Sequence, residues 1–246
     1  MLHNIKSLIG FTMGATDGEI GKVDEFYFDD ETWTIRYLIV KTGGWLMDRK
    51  VLISPGALKD PDWKNKSFPI KLTKQQIKES PDIDTEKPVS RQQELALYSH
   101  YEWPYGDPTG GGFYGQLGMA GMIESRVPLE ASIAARNKKE PGDPHLRSIS
   151  EVKRYHIHAT NGEIGKVADI IVDEYWRIRF LIVDTGSWFP GKKVLLSPEW
   201  IKEVSWADSS VEVDVSVEAV KNSPKYDPDQ PMAENYETDL FRHYDK

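Results

Sequence analysis

Two small antiparallel β-barrels in tandem, each with a short C-terminal helix and tail, are expected from this sequence on three grounds. The chain is written twice, each copy carries a tight-turn dipeptide between apolar stretches, and each copy holds a six-residue run that is apolar on both faces.

The duplication is direct. ATDGEIGKV (Ala15 to Val23) recurs as ATNGEIGKV (Ala159 to Val167), with eight of nine positions identical. After a one-residue adjustment, WTIRYLIVKTGGWLMDRKVLISP (Trp33 to Pro55) aligns with WRIRFLIVDTGSWFPGKKVLLSP (Trp176 to Pro198), with fourteen of twenty-three positions identical. The same register carries Ser80-Pro81 onto Ser223-Pro224 and LYSHY (Leu97 to Tyr101) onto LFRHY (Leu240 to Tyr244).

Within one copy, Asp17-Gly18 or Asn161-Gly162 predicts a hairpin turn, because the glycine takes the positive φ that such turns need. Strands are predicted over Ile20 to Phe28 and Ile164 to Val172, ending in the acidic turns Asp29-Asp30 and Asp173-Glu174. Ile20, Val23, Phe26 and Phe28 break a strict period of two, which predicts a bulge near Asp24 and Glu25. IRYLIV (Ile35 to Val40) and IRFLIV (Ile178 to Val183) read as central strands. Turns at Gly43-Gly44 and Gly186-Ser187 lead to strands opened by Lys50 and Lys193 and stopped by Pro55 and Pro198. Last strands are predicted over Phe68 to Leu72 and Val211 to Val215. A short helix follows, entered through the capping box Thr73 to Gln76, of which the second copy keeps only Ser216. The glycines assigned structural roles at turns are Gly18, Gly21, Gly43, Gly162, Gly165 and Gly186.

The domains read as residues 1–101 for the first repeat with its aromatic tail, 102–149 for a Gly- and aromatic-rich linker, and 150–246 for the second repeat with its tail. Within the linker, Glu124 to Arg136 has the composition of one or two helical turns. A barrel of about 75 residues is marginal alone, so the barrels are expected to pack together or the chain to dimerise.

Composition narrows the function. The net charge of −8 and pI near 5.3 argue against a nucleic-acid partner, whose phosphates require clustered Lys and Arg. The one dense basic run, Arg136 to Lys139, reads as solvated linker. With no cysteine, thiolate metal sites and disulfides are ruled out. No stretch reaches the roughly 18 apolar residues of a membrane span, and the N-terminus lacks a long apolar region, so a cytoplasmic protein without a membrane span is expected.

Candidate chemistry is sparse. GGGFYG (Gly110 to Gly115) matches a dinucleotide-binding pattern formally but has no preceding strand. Of the histidines, only His156 and His158 sit close enough to share a strand face, too few for a metal site. His100 and His243 hold equivalent places among aromatics and read as packing the tail onto its barrel. The acidic turns read as solvated turns. No catalytic, cofactor or metal residue is assigned. The interaction candidates are Trp45 and Leu46, their equivalents Trp188 and Phe189, and the tail aromatics Tyr98, Tyr101 and Trp103. Each turn tryptophan either meets a partner or covers the end of its own barrel.

The ordered blocks TDGEIGKV, IRYLIV, TGGW and KVLISP, matched in the second copy by TNGEIGKV, IRFLIV, TGSW and KVLLSP, resemble the PRC-barrel family. That family includes the cytoplasmic domain of the photosynthetic reaction-centre H subunit and the C-terminal domain of a ribosome-maturation factor. The resemblance implies a small β-barrel used for docking or assembly, without a common catalytic centre. No stretch of this sequence reads as the H subunit's membrane helix, and a second PRC-type copy is expected where the maturation factor carries a different barrel, so neither a structural role at a membrane nor ribosome maturation is implied by the resemblance.

Three readings follow. The first is a non-enzymatic protein-interaction adaptor with an unidentified protein partner or a second copy of itself. The second, by family analogy, is an accessory factor of photosynthetic electron transfer. The third is a small-molecule binder or enzyme using a cleft between the barrels.

Overall fold

Each tight-turn dipeptide reverses the chain as expected and launches a long strand. A computed structural model describes residues 2–81, 89, 91–101, 145–186, 192–230, 232–233 and 235–244. The expected helical turns at 124–136, the basic run and the Gly-rich string lie outside the described residues.

In the first repeat, β1 (His3–Asn4) and the one-turn helix α1 (Ile5–Leu8) precede the hairpin of β2 (Thr12–Ala15) and β3 (Gly18–Asp29). β4 (Thr34–Thr42), β5 (Lys50–Ile53) and β6 (Ser67–Pro69) follow, then α2 (Lys74–Lys78) and the tail helix α3 (Arg91–Tyr101). The second repeat runs β7 (Leu146–Ser148), α4 (Ile149–Val152), β8 (His156–Ala159), β9 (Gly162–Val172), β10 (Ile178–Asp184) and β11 (Lys193–Leu196). It closes with β12 (Ile201–Ser205), β13 (Ser210–Val213), α5 (Val217–Asn222) and the tail helix α6 (Tyr236–Tyr244).

The strand orders are β5-β4-β3-β2-β6 and β11-β10-β9-β8-β13-β12. Both are open paths, so the expected closed barrels are not formed among the described residues. Their outermost strands, three to five residues long, make too few pairs to wrap round and meet. Nor is the pairing antiparallel throughout. β6 runs parallel to β2, and β13 parallel to β8, because the chain between β5 and β6 crosses over instead of turning in a tight hairpin.

Several local expectations are met by register. The β3/β4 pairing slips between Val23 and Glu25, the predicted bulge, and the β9/β10 pairing slips at the matching place between Val167 and Asp169. β4 lies between β3 and β5 with Ile35, Tyr37, Leu38, Ile39 and Val40 all buried, as a strand apolar on both faces must. The capping box is complete at Thr73 and Gln76, and Ser216 accepts from Ala219 N. β12 is an addition of the second repeat. In the first repeat the matching pairs Leu58 with Ile70 and Asp62 with Ser67 make only isolated bridges, since Pro61 and Pro69 stand where the second has Val204 and Glu212 and cannot donate to a ladder between them.

The described residues form two units, Leu8–Ser148 and Met1–Ser7 with Ile149–Lys246. These are not the two sequence repeats. β1 adds to β9 in the unit of the second repeat, with His3 opposite Val172 and Asn4 opposite Ile171. β7 adds to β3 in the unit of the first repeat, with Arg147 opposite Phe28 and Ser148 opposite Tyr27. Each N-terminal strand has therefore changed places with its counterpart, and Leu146–Ser148, inside the stretch read as linker, belong to a sheet.

Candidate functional site

Among the described residues of the first unit, the turn after β4 builds the most exposed apolar feature. Gly44–Leu46 form one turn of 3-10 helix, after which Met47 and Asp48 take left-handed φ values of 52° and 56°. Leu46 N and Asp48 N donate to Gly43 O at 3.1 and 3.4 Å, and Arg49 N to Leu46 O at 3.1 Å. Thr42 closes the loop base, its Oγ1 donating to Arg49 O at 2.7 Å. The backbone of the tip is thus fixed by its own hydrogen bonds.

Trp45 is fixed as well. Its Nε1 donates to Ile20 O at 2.7 Å, and Lys74 Nζ sits 4.9 Å from the ring centroid, a cation–π contact. The indole covers the end of its own sheet while remaining 37% exposed. Leu46 is half-buried. Met47 is 91% exposed, an unbranched, polarisable side chain held out on a rigid stem. Trp188 and Phe189 lie outside the described residues.

The tail aromatics divide. Tyr101 is buried in its own unit and does not present a surface. It follows Leu97 by four residues, so the two share the face of α3 that turns inward. Tyr98 is half-buried, and Trp103 lies outside the described residues. His100 Nε2 is 2.6 Å from Gln76 O and His243 Nε2 is 2.7 Å from Ala219 O. Both histidines therefore pin a tail helix to the short helix of the same unit, as their matching positions predict.

Sequence reasoning missed the polar lock beneath α3. Arg36 donates to Asp29 Oδ2 at 3.1 Å and to Glu94 Oε1 at 2.9 Å, and Tyr37 Oη donates to the same Glu94 oxygen at 2.8 Å. These side chains are almost fully buried. Burial drives the Tyr37 pKa well up, with Glu94 adding to it. The Arg36 pKa is held up by its carboxylate neighbours against burial, which alone lowers it. In the other unit Arg179 meets Glu237 at 3.5 Å with both partly exposed, and Phe180 replaces the tyrosine. The repetition of Arg36 as Arg179 and of Glu94 as Glu237 was the signal available.

The acidic turns hold backbone and strand. Asp29 Oδ1 accepts from Glu31 N, Thr32 N and Thr32 Oγ1; Asp173 Oδ1 accepts from Tyr175 N and Arg177 N. Asp30 binds His145 Nδ1 at 2.9 Å and Arg147 Nε at 3.2 Å, tying the start of β7 down. His156 Nδ1 meets Glu163 at 2.6 Å, and this bond lowers the Glu163 pKa. No group of three potential metal ligands occurs among the described residues. A groove of about 570 Å³ is lined by Arg154, Glu163, Lys166 and Asp184 over Ile164 and Val167. Its carboxylates are engaged, Glu163 by His156 and Asp184 by Gly186 N.

Of the structural glycines, Gly18, Gly162 and Gly186 adopt left-handed φ at turns or strand starts, and Gly43 precedes the 3-10 turn without a positive φ. Gly21 and Gly165 lie inside β3 and β9 and are not turn residues. They are needed because the neighbouring strand passes too close for any Cβ.

A model of the PRC-barrel domain family matches residues 3–76 and 145–220. A search of curated proteins found no match. The chain belongs to the PRC-barrel domain family and carries two copies of the domain.

Proposed function

We propose that this PRC-barrel chain is a non-enzymatic interaction adaptor, and that the tip formed by Trp45, Leu46 and Met47 is where its first module meets a protein partner. The observation that supports this is a side chain 91% exposed, Met47, on a loop immobilised by the Trp45–Ile20 hydrogen bond. A loop already held by its own hydrogen bonds loses little backbone entropy on docking, which helps a small contact gain affinity. A protein partner fits better than a polyanion, given the net charge of −8.

The test is affinity capture from native lysate with the wild-type chain and Met47→Glu. Proteins recovered with the wild type are expected to fall at least about tenfold with Met47→Glu, the order of loss when a charge is forced into an apolar contact. The melting temperature should not change, because Met47 packs on little. Equal recovery with both chains would refute the reading.

A further inference from the structure

Each sheet bears a strand-accepting slot on the edge of its long hairpin strand, beyond the end of the β2 or β8 pairing. In one unit the slot is Tyr27–Asp29 of β3, occupied by β7; in the other it is Ile171–Val172 of β9, occupied by β1. Each occupant is an extended stretch that runs directly into one helical turn with two buried apolar residues three apart, Ile5 and Leu8 in α1, Ile149 and Val152 in α4. Leu8, Ile149 and Val152 belong to the unit of their own repeat, so the exchange is confined to the strand and the residues beside it. Both occupants are also held by side chains. Asp30 grips His145 and Arg147. Lys6 N donates to Asp169 Oδ2 at 3.2 Å, and Tyr226 Oη donates to Asn4 Oδ1 at 3.0 Å.

By the repeat alignment, Asn4 corresponds to Ser148 and Ile171 to Tyr27, so the two slots bind their strands in one register. Seven residues, Ile5 to Phe11, separate β1 from β2. The matching distance along β3, from Tyr27 to Lys22, is about 17 Å at the usual rise per residue, within reach of such a segment. A strand could therefore fill the slot of its own repeat with the same pairing, and the chain instead exchanges the two. This is the geometry of a strand swap written into one polypeptide.

We infer that the edge slots at Tyr27–Asp29 and Ile171–Val172 are recognition sites for the N-terminal strand of the opposite repeat in the same chain. The two repeats consequently stay joined through β1 and β7 when the peptide chain between them is cut. This inference stands apart from the proposal for the Met47 tip, which it neither uses nor requires.

The absence of cysteine makes the test clean. A protease site is inserted within residues 102–144, and two double variants of the full chain are oxidised, Asn4→Cys with Ile171→Cys, and Ser148→Cys with Tyr27→Cys. After cleavage, each is expected to run without reductant as one species of 28.1 kDa plus the inserted site and to separate into two fragments with reductant. The pair Asn4→Cys with Tyr27→Cys, which tests a strand kept by its own repeat, is expected to retain two free thiols. Because Ile171 is buried, the Ser148 and Tyr27 pair carries the result if the first variant does not fold. Two bands without reductant, a disulfide in the Asn4 and Tyr27 pair, or a covalent species of twice the chain mass would each overturn the inference, the last by assigning the slot to a second copy.

Discussion

Gly21 stands so close to Lys41 that a Cβ built on it would lie 2.1 Å from the Lys41 carbonyl oxygen. Gly165 bears the same relation to Asp184, also at 2.1 Å. The obstacle in both cases is backbone of the neighbouring strand, which cannot swing aside as a side chain would. Gly21→Ala is therefore expected to destabilise the first unit by about 3–5 kcal/mol, the range reserved for changes the structure cannot absorb. Gly14, with open space about it, is the control; Gly14→Ala should change the denaturation midpoint little.

Arg36 and Glu94 are joined in the dark of the first unit, and their removal should be unequal. Glu94→Leu leaves the Arg36 guanidinium without its partner on α3 and is expected to cost about 3 kcal/mol, as breaking a buried pair does. Tyr37→Phe removes one donor and leaves Arg36 to neutralise the carboxylate, so about 1 kcal/mol is expected. Chemical denaturation of the three chains checks the order. In the second unit Glu237→Leu should cost less than about 1 kcal/mol, because that pair is partly exposed.

Alkaline stability follows from the tyrosines. Burial raises the pKa of Tyr37, of Tyr101 and of Tyr244, the last pushed up to about 12. Their folded values lie above the unfolded value near 10, so the folded chain holds more protons than the unfolded one above that pH. The stabilisation is complete below about pH 10 and is lost as pH rises through the folded values. Near-ultraviolet phenolate absorbance should show some of the 11 tyrosines un-ionised at about pH 11 in the native chain, and all of them ionising together on unfolding. A native titration with a single midpoint near 10 would contradict the burial.

Arg49 anchors the end of α2. Its Nη1 donates to Lys78 O, in the last residue of α2, at 3.3 Å, and its Nη2 to Ser80 O at 2.7 Å and Pro81 O at 2.8 Å just beyond it. Lys192 Nζ reaches the matching carbonyls of Lys221, in α5, and of Ser223, the latter at 3.0 Å. A cation at a helix C-terminus satisfies carbonyls that the helix leaves open. Arg49→Met is expected to lower stability by about 1–2 kcal/mol. Arg49→Lys should recover at least half of that loss, since the other repeat does the same task with lysine; thermal unfolding of both variants decides it.

Much of one module was legible because its signals are local. Asp17-Gly18, the slip after Val23, the capping box at Thr73 and Gln76, and the double-sided run Ile35 to Val40 each act over a few residues, where turn chemistry and periodicity decide. The hairpin residues do more than turn the chain. Asp17 Oδ1 accepts from Lys74 N and Asn161 Oδ1 from Val217 N, both at 2.8 Å, a link across more than 50 residues that composition does not announce. The lock of Arg36, Tyr37 and Glu94 was hidden for the same reason. Arg36 and Glu94 are 58 residues apart, and an exposed Glu on a helix and a buried one look alike in sequence. Tyr101 looked like an interaction aromatic because only packing reveals which face of α3 turns inward.

The sequence by itself determined the PRC-type module, its duplication, the hairpin at Asp17-Gly18 and Asn161-Gly162, the bulge of the long strand and the central place of the strand after it, since these depend on which residues adjoin. Tertiary structure alone decided whether the sheets close and which repeat receives each N-terminal strand. Closure depends on how far the short outer strands reach. The strand exchange depends on a choice between slots with equivalent registers: His3 and Asn4 pair with Val172 and Ile171, whose counterparts in the first repeat, Phe28 and Tyr27, are apolar strand residues too, so local residue preferences cannot tell the two arrangements apart.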